Sequence, residues 1–195
     1  MKYIFYKIIV FILKPLFILV YRPTYIGLDN IPKNGPTILA GNHTNNLDAA
    51  LMLTGPKRIV HMMAKKELFN NIISASFFRS MACISVDRSI HDENAKNEAL
   101  VVLNNNELLG IFPEGTINKT NELLLPFKYG AVSFAKKTDA YIVPFSITGK
   151  YKLFRKSIKI IYGKPYKINK DLEYENNKLM NKVKDLMKGD NNEKE

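Results

Sequence analysis

The sequence predicts an α/β domain, a central mixed or largely parallel sheet flanked by helices, with a membrane-associated helix at its N-terminus. Short apolar runs bounded by turn residues alternate with helical patterns, which is typical of such a domain. There is no internal repeat and no Gly/Ser-rich linker, which favours a single domain. Residues 1–21 are apolar apart from Lys2, Lys7, Lys14 and Pro15, and this run predicts the N-terminal helix.

The N-terminal segment approaches the length of a membrane span, which takes about 20 apolar residues. Lys14 opposes full insertion, and Pro15 is expected to kink the helix because it has no amide hydrogen. Lys7 shares a face with Lys14, which favours a helix lying in the interface with its lysines reaching headgroups. We expect an uncleaved monotopic anchor over residues 1–22, with a spanning helix or a buried core helix as alternatives. No small-residue cleavage site follows, so a signal peptide is disfavoured.

The other elements follow in chain order. Strands are predicted at 37–41, 58–64, 83–86, 108–112, 141–147 and 157–162, and helices from about Leu47 and at 65–80, 93–104 and 130–137. A last helix from Asp171 has apolar residues on one face and is expected to end at Gly189. These patterns assign the folded domain to residues 23–189 and predict a disordered tail at 190–195.

The composition and net charge of the chain limit the kinds of partner that it is expected to bind. The chain has 195 residues, 46% of them hydrophobic, which excludes wholesale disorder, and a formal net charge of +11. That charge predicts attraction to nucleic acid, to an anionic membrane surface or to a phosphorylated substrate. No nucleic-acid module or interleaved aromatic and basic platform is present, so we expect no nucleic-acid partner. Residues 150–170 hold eight basic and no acidic side chains, which fits a membrane-facing patch or an ordinary solvated face.

A candidate catalytic pair follows the predicted strand 37–41. His43 and Asp48 are five residues apart, which within one helix would separate them by about 140°. They can meet only if His43 precedes the helix and Asp48 points back from its first turn, with Asn45 or Asn46 as the cap. Asp48 would then fix the imidazole tautomer and leave the other nitrogen free to take a proton. The alternative is a capping histidine with an aspartate that stabilises the helix N-terminus.

The sequence lacks the motifs of several common kinds of catalytic and binding site. There is no G-x-S-x-G elbow, and the glycines of 110–116 lack the lysine of a phosphate-binding loop. The sequence has neither an H-E-x-x-H motif nor a Cys/His cluster, so we expect no metal and no resident cofactor. Without a protein nucleophile, the acceptor's own hydroxyl would attack a thioester, with His43 as general base.

Four blocks, in order and spacing, resemble the glycerolipid acyltransferases. They are Asn42-His43-x4-Asp48, Ile84-Ser85-Val86-Asp87-Arg88, Phe112-Pro113-Glu114-Gly115-Thr116 and Ile142-Val143-Pro144-Phe145. The chain is most similar in these blocks to the 1-acyl-glycerol-3-phosphate acyltransferases, over roughly residues 24–165. The resemblance implies the same fold class, a lysophosphatidic acid acceptor and phosphatidic acid as the product. It also implies an acyl-CoA or acyl-carrier-protein donor and a place on the cytoplasmic face of the cell membrane.

The resemblance implies roles for individual residues. His43 would deprotonate the 2-hydroxyl, and Asp48 would hold the imidazole. Arg88 would bind the acceptor phosphate through its bidentate fork, unless it pairs with Asp87 instead. The other residues expected at the acceptor site are Asn42, Glu114, Gly115, Thr116, Lys119 and Lys128.

One residue departs from the family pattern. These enzymes usually carry an Arg after the Phe-Pro-Glu-Gly-Thr block, where this sequence has Ile117. Either Arg88, Lys119 and Lys128 bind the phosphate in a rearranged way, or the acceptor is a different lysophospholipid. A non-catalytic membrane- or lipid-binding protein is the alternative from another class.

Overall fold

The computed structural model describes residues 3–192, with side chains to residue 189. Within that range seven strands form one sheet in the order β1-β7-β6-β2-β5-β3-β4. The strands are β1 (Thr24–Ile26), β2 (Thr37–Gly41), β3 (Val60–Lys65), β4 (Ile84–Val86), β5 (Leu108–Ile111), β6 (Tyr141–Gly149) and β7 (Ile158–Tyr162). The helices are α1 (Ile4–Tyr21), α2 (Asp48–Thr54), α3 (Ile72–Ser80), α4 (Glu93–Asn104), α5 (Gly130–Thr138) and α6 (Leu172–Asn192).

The sheet is mixed and largely parallel, as the sequence predicts. Strands β2 to β6 pair in parallel, and β7 runs antiparallel to β6. All five residues of β2 are buried, as expected for a central strand covered on both faces. Gly41 ends β2, where an added Cβ would lie 2.2 Å from the carbonyl oxygen of Phe145. The carboxyl ends of the parallel strands therefore meet at one tightly packed edge, where ligands bind in open α/β sheets.

Helices cover both faces of this sheet. The larger apolar core packs α4, α5 and α6 against one face, and a second core packs α2 and part of α1 against the other. The short strand β1 escapes prediction because three residues carry no clear alternation pattern.

Helix α1 lies flat on the domain along its whole length. At its start, the Tyr3 hydroxyl donates to the Glu107 carboxylate at 3.0 Å, and the buried Tyr6 hydroxyl accepts from Val60 N–H at 3.1 Å. At its end, the Tyr21 ring meets the Tyr151 ring edge-to-face with centroids 5.6 Å apart. The opposite face is apolar and open, with Phe11 81% exposed. By length and composition alone, α1 is the one helix in the described range that could cross a membrane.

Two predicted helix boundaries are wrong. The segment 65–80 is a 3-10 turn at Lys66–Phe69 followed by α3, because Asn71 caps a new helix by accepting from the Ser74 N–H. Helix α6 continues past Gly189 to Asn192, since one glycine costs a helix only about 1 kcal/mol. Residues 190–192 of the predicted tail are thus helical, and 193–195 lie outside the described residues.

Candidate active site

His43 and Asp48 meet as their spacing requires. His43 lies in the turn after β2, Asp48 is the first residue of α2, and Nδ1 of His43 is 3.0 Å from Oδ2 of Asp48. The predicted cap is wrong: Leu47 occupies that position without a side-chain bond, and Asn45 accepts from the Leu47 N–H. The Nε2 atom of His43 has no hydrogen-bond partner among the described residues, so it is available to a substrate.

The carboxylate of Asp48 is fully buried and bonded on both oxygens. Besides His43, Oδ2 accepts from the backbone N–H groups of Thr44, at 2.6 Å, and Asn45, at 2.8 Å. The other oxygen, Oδ1, accepts from the hydroxyl of Tyr151 at 2.7 Å. A buried carboxylate needs such donors, and here they also fix its plane. Sequence reasoning missed Tyr151, since nothing in a pattern relates two residues 103 positions apart.

Two residues predicted to bind the acceptor, Asn42 and Glu114, are buried and bonded within the scaffold, and their contact with the acceptor stays a prediction. The buried amide of Asn42 donates to the carbonyl of Ile147 at 2.8 Å and accepts from its N–H at 2.7 Å. The buried carboxylate of Glu114 accepts from the backbone N–H groups of His43 and Leu125, both at 2.8 Å. Burial raises the pKa of Glu114, while these two bonds favour its ionised form. Both side chains therefore hold the turn that carries His43.

The ring of Phe112 covers one face of the His43 imidazole. The rings are nearly parallel, 10° apart, with centroids separated by 4.0 Å. Asn118 fixes the same turn by donating its backbone N–H to the His43 carbonyl at 2.8 Å. The imidazole is therefore held by stacking as well as by Asp48, and the edge that bears Nε2 is left for a substrate hydroxyl.

A cavity of about 420 Å³ opens beside Phe112, at the carboxyl ends of β3, β4 and β5. Its lining is apolar with several basic side chains and two acidic ones, Asp87 and Asp92, and together with its volume this suits a small amphipathic ligand. The lining includes Met63, Val86, Arg88, Ile90, Phe112, Gly115, Lys128, Tyr129 and Phe134.

Arg88 and Lys128 bring positive charge to this cavity. Asp87 forms its ion pair with Lys66 at 2.5 Å, so the alternative pairing of Arg88 with Asp87 is wrong. Partial burial lowers the pKa of Arg88, which nevertheless stays protonated at neutral pH. The Lys128 chain crosses over Gly115, where Nζ would lie 3.0 Å from an added Cβ. Gly115 also has a φ of 70°, a left-handed backbone conformation that favours glycine. Its lack of a side chain thus permits both this conformation and the close approach of Lys128.

The remaining predicted acceptor residues lie outside this cavity. Thr116 and Lys119 are exposed and do not line it, and their contact with the acceptor stays a prediction. Ile117 is half-buried between them. No group of three or more His, Cys, Asp or Glu residues that could hold a metal occurs in the described part of the chain.

Comparison with known proteins gives a consistent result. A family model described as "Acyltransferase" matches residues 22–148. The 1-acyl-sn-glycerol-3-phosphate acyltransferase of Bacillus subtilis is 34% identical over 143 residues, which are 70% of this chain and 70% of that protein. The Borreliella burgdorferi protein of the same name is 31% identical over 134 residues, 68% of this chain but only 53% of its own length.

The fold also has a counterpart among solved structures. The 1-acyl-sn-glycerophosphate acyltransferase PlsC of Thermotoga maritima superposes with a TM-score of 0.69 over 83% of this chain and 69% of that chain. At 24% sequence identity this likeness establishes the fold.

Proposed function

The chain belongs to the acyltransferase family, and we propose on that basis that it transfers a fatty acyl group from a thioester to the 2-hydroxyl of 1-acyl-glycerol-3-phosphate. The product is phosphatidic acid. The observation that carries the proposal is the 3.0 Å contact between His43 and Asp48 beside a cavity lined by Arg88 and Lys128. A general base without a protein nucleophile suits direct transfer between two substrates.

The chemical step needs one proton transfer in each direction. Asp48 accepts the Nδ1–H of His43 and so keeps Nε2 unprotonated and basic. Nε2 takes the proton of the acceptor hydroxyl while that oxygen attacks the thioester carbonyl carbon. The carbon–sulfur bond then breaks, and the departing thiolate takes the proton from Nε2. An ester and a free thiol result, and His43 returns to its starting state.

The acceptor phosphate binds between Arg88 and Lys128. Both side chains line the same cavity, and neither forms an ion pair with another described residue. Guanidinium offers two parallel donors to a phosphate, and the lysine adds a point charge. Lys128 reaches across Gly115 towards the site and can compensate for the charge that Ile117 does not supply.

The donor is acyl-CoA or an acyl carrier protein, both of which present the same thioester. The proposed reaction requires no resident cofactor and no metal, because the hydroxyl and the thioester supply the reacting groups. Both donors occur in the cytoplasm, so we assign the enzyme to the cytoplasmic face of the membrane.

Helix α1 lies in the membrane interface and does not span the bilayer. The domain covers one face of the helix from Tyr3 to Tyr21, so that face is not free to contact lipid. The other face exposes Ile8, Phe11 and Leu19, which can enter the acyl region while Lys7 and Lys14 reach the headgroups.

The loop between β6 and β7 extends this apolar surface. The Phe154 N–H donates to the Val20 carbonyl at the end of α1, and the side chains of Leu153 and Phe154 are exposed. The cations of this loop suit an anionic membrane surface and are Lys150, Lys152, Arg155 and Lys156. Lys167, farther along the basic segment, faces elsewhere, since it pairs with Asp139 near the opposite end of β6.

The reaction is tested with purified protein in detergent, lysophosphatidic acid and either donor. We expect wild type to form phosphatidic acid and His43→Ala to lose at least about 100-fold in kcat, the usual contribution of a general base. His61→Gln is the matched control, because His61 pairs with Glu107 and does not line the cavity. Product formed equally by His43→Ala would disprove the assigned base. Wild-type turnover of another lysophospholipid, but not of lysophosphatidic acid, would favour the second candidate acceptor that Ile117 raises.

A further inference from the structure

Tyr151 holds the Asp48 oxygen that faces away from His43. Four donors share Oδ2 of Asp48, namely the His43 imidazole, the backbone N–H groups of Thr44 and Asn45, and, at 3.4 Å, the Thr44 hydroxyl. Among the described residues, Oδ1 has a single donor, the Tyr151 hydroxyl at 2.7 Å. Without that hydroxyl a buried charged oxygen would lack a partner, which is costly enough for the carboxylate to turn.

The surroundings of the Tyr151 hydroxyl keep it protonated and therefore a hydrogen-bond donor. Burial raises the pKa of Tyr151, and the negative charge of Asp48 raises it further. The hydroxyl therefore stays protonated throughout the range in which an enzyme works, and its proton points to the carboxylate.

Helix α1 fixes the position of the Tyr151 ring. Tyr21 meets that ring edge-to-face at 5.6 Å, and Phe17 packs on Tyr21 with centroids 5.1 Å apart. The loop of Tyr151 is also tied to the helix by the bond from Phe154 N–H to the Val20 carbonyl. An unbroken series of contacts thus runs from the helix proposed to lie in the membrane to the catalytic pair.

We infer that Tyr151 is a positioning residue for acyl transfer, which holds Asp48, and through it the His43 imidazole, in a geometry set by helix α1. The inference rests on the proposed function, since it assigns His43 as the base. Tyr151 does not touch the reacting atoms. Its effect should therefore fall on the chemical step and not on acceptor binding.

The test compares Tyr151→Phe with Tyr25→Phe. Tyr25 is the matched control because its hydroxyl is bonded too, at 2.7 Å to Thr54, but forms no hydrogen bond with Asp48. We expect Tyr151→Phe to lower kcat about 10-fold, with KM for the acceptor within about twofold of wild type, since one hydrogen bond to a charged group is lost. Tyr25→Phe should leave kcat within about twofold, and melting temperatures should ensure that every assay uses folded protein. An unchanged kcat in Tyr151→Phe, or an equal loss in Tyr25→Phe, would overturn the inference.

A second measurement is independent of turnover. The proton between Nδ1 of His43 and Asp48 gives an NMR resonance that is identified by its absence in His43→Ala. We expect Tyr151→Phe to shift or broaden this resonance and Tyr25→Phe to leave it unchanged. A resonance unchanged in Tyr151→Phe would contradict the positioning role. Failure of wild type to acylate any acceptor would instead defeat the proposed function, and the resonance would still report on Tyr151.

Discussion

Asn42 and Ile147 exchange two hydrogen bonds across the carboxyl ends of β2 and β6. The Asn42 amide donates to the Ile147 carbonyl at 2.8 Å and accepts from the Ile147 N–H at 2.7 Å, entirely out of contact with solvent. The side chain thus continues the backbone pairing of the two strands by one step. Because His43 is the next residue, this pairing fixes where the turn that carries His43 leaves the sheet.

Asn42→Ala should therefore destabilise the fold. The substitution leaves both the N–H and the carbonyl of Ile147 buried without a partner, at about 1–3 kcal/mol each, so we expect a loss of about 3 kcal/mol in the free energy of unfolding. Urea unfolding measures it, with Asn46→Ala as the exposed control. Wild-type stability combined with a raised acceptor KM would restore the role first predicted for Asn42, contact with the substrate.

Arg88→Ala and Lys128→Ala should weaken binding of the acceptor phosphate. We expect each to raise KM for lysophosphatidic acid about 10-fold or more, as for the loss of a hydrogen bond to a charged group, with a smaller effect on kcat. Steady-state kinetics with a 1-acylglycerol, which has no phosphate, provide the contrast. Lys119→Ala serves as the comparison because Lys119 lies outside the cavity. An equal loss with the neutral acceptor would refute phosphate recognition by these cations.

Ile117→Arg should improve turnover of lysophosphatidic acid. The substitution supplies the fork that the family usually carries after the Phe-Pro-Glu-Gly-Thr block, and we expect KM to fall about 3- to 10-fold. Ile117→Gln controls for added polarity without charge. If the arginine variant gained no more than the glutamine variant, Lys128 and Arg88 would already satisfy the phosphate.

The tip of the loop between β6 and β7 should contribute to membrane binding. Replacing Leu153 and Phe154 with aspartate removes apolar groups worth about 1.5–3 kcal/mol each when buried in the acyl region, and adds charge. We expect at least a 10-fold loss of affinity for anionic vesicles in a flotation assay. Val101→Asp is the control, since Val101 is similarly exposed on α4. Equal flotation of both variants would place the loop away from the bilayer.

The sequence was sufficient for the fold class and for most elements. Short apolar runs located β2, β5 and β7 to within a residue or two, and a helical pattern predicted α4 with its observed bounds. Hydrophobic patterns did not predict two features of the fold. Strand β1 has only three residues, too few to show a pattern, and the break before α3 depends on the cap formed by Asn71 and not on hydrophobic spacing.

The contact between His43 and Asp48, the candidate catalytic pair, could also be predicted from the sequence. A spacing of five residues after a buried strand allows His43 and Asp48 to meet in one way only, and the structure has that geometry. Local spacing fixes a local contact, because few backbone conformations connect the two residues.

Only the tertiary structure decided which polar residues support the pair and which face the cavity. Asn42 and Glu114 look like site residues in a motif, yet their partners Ile147 and Leu125 are brought near by strand pairing and by a long loop. Tyr151 shows the reverse, since it lies in no motif and becomes a partner of Asp48 through the packing of α1. A sequence pattern encodes which groups a short segment can present. A buried polar group has no water to bond with, so it needs a hydrogen-bond partner from the protein. The fold can supply that partner from a segment far away in the sequence, which a local pattern does not reveal.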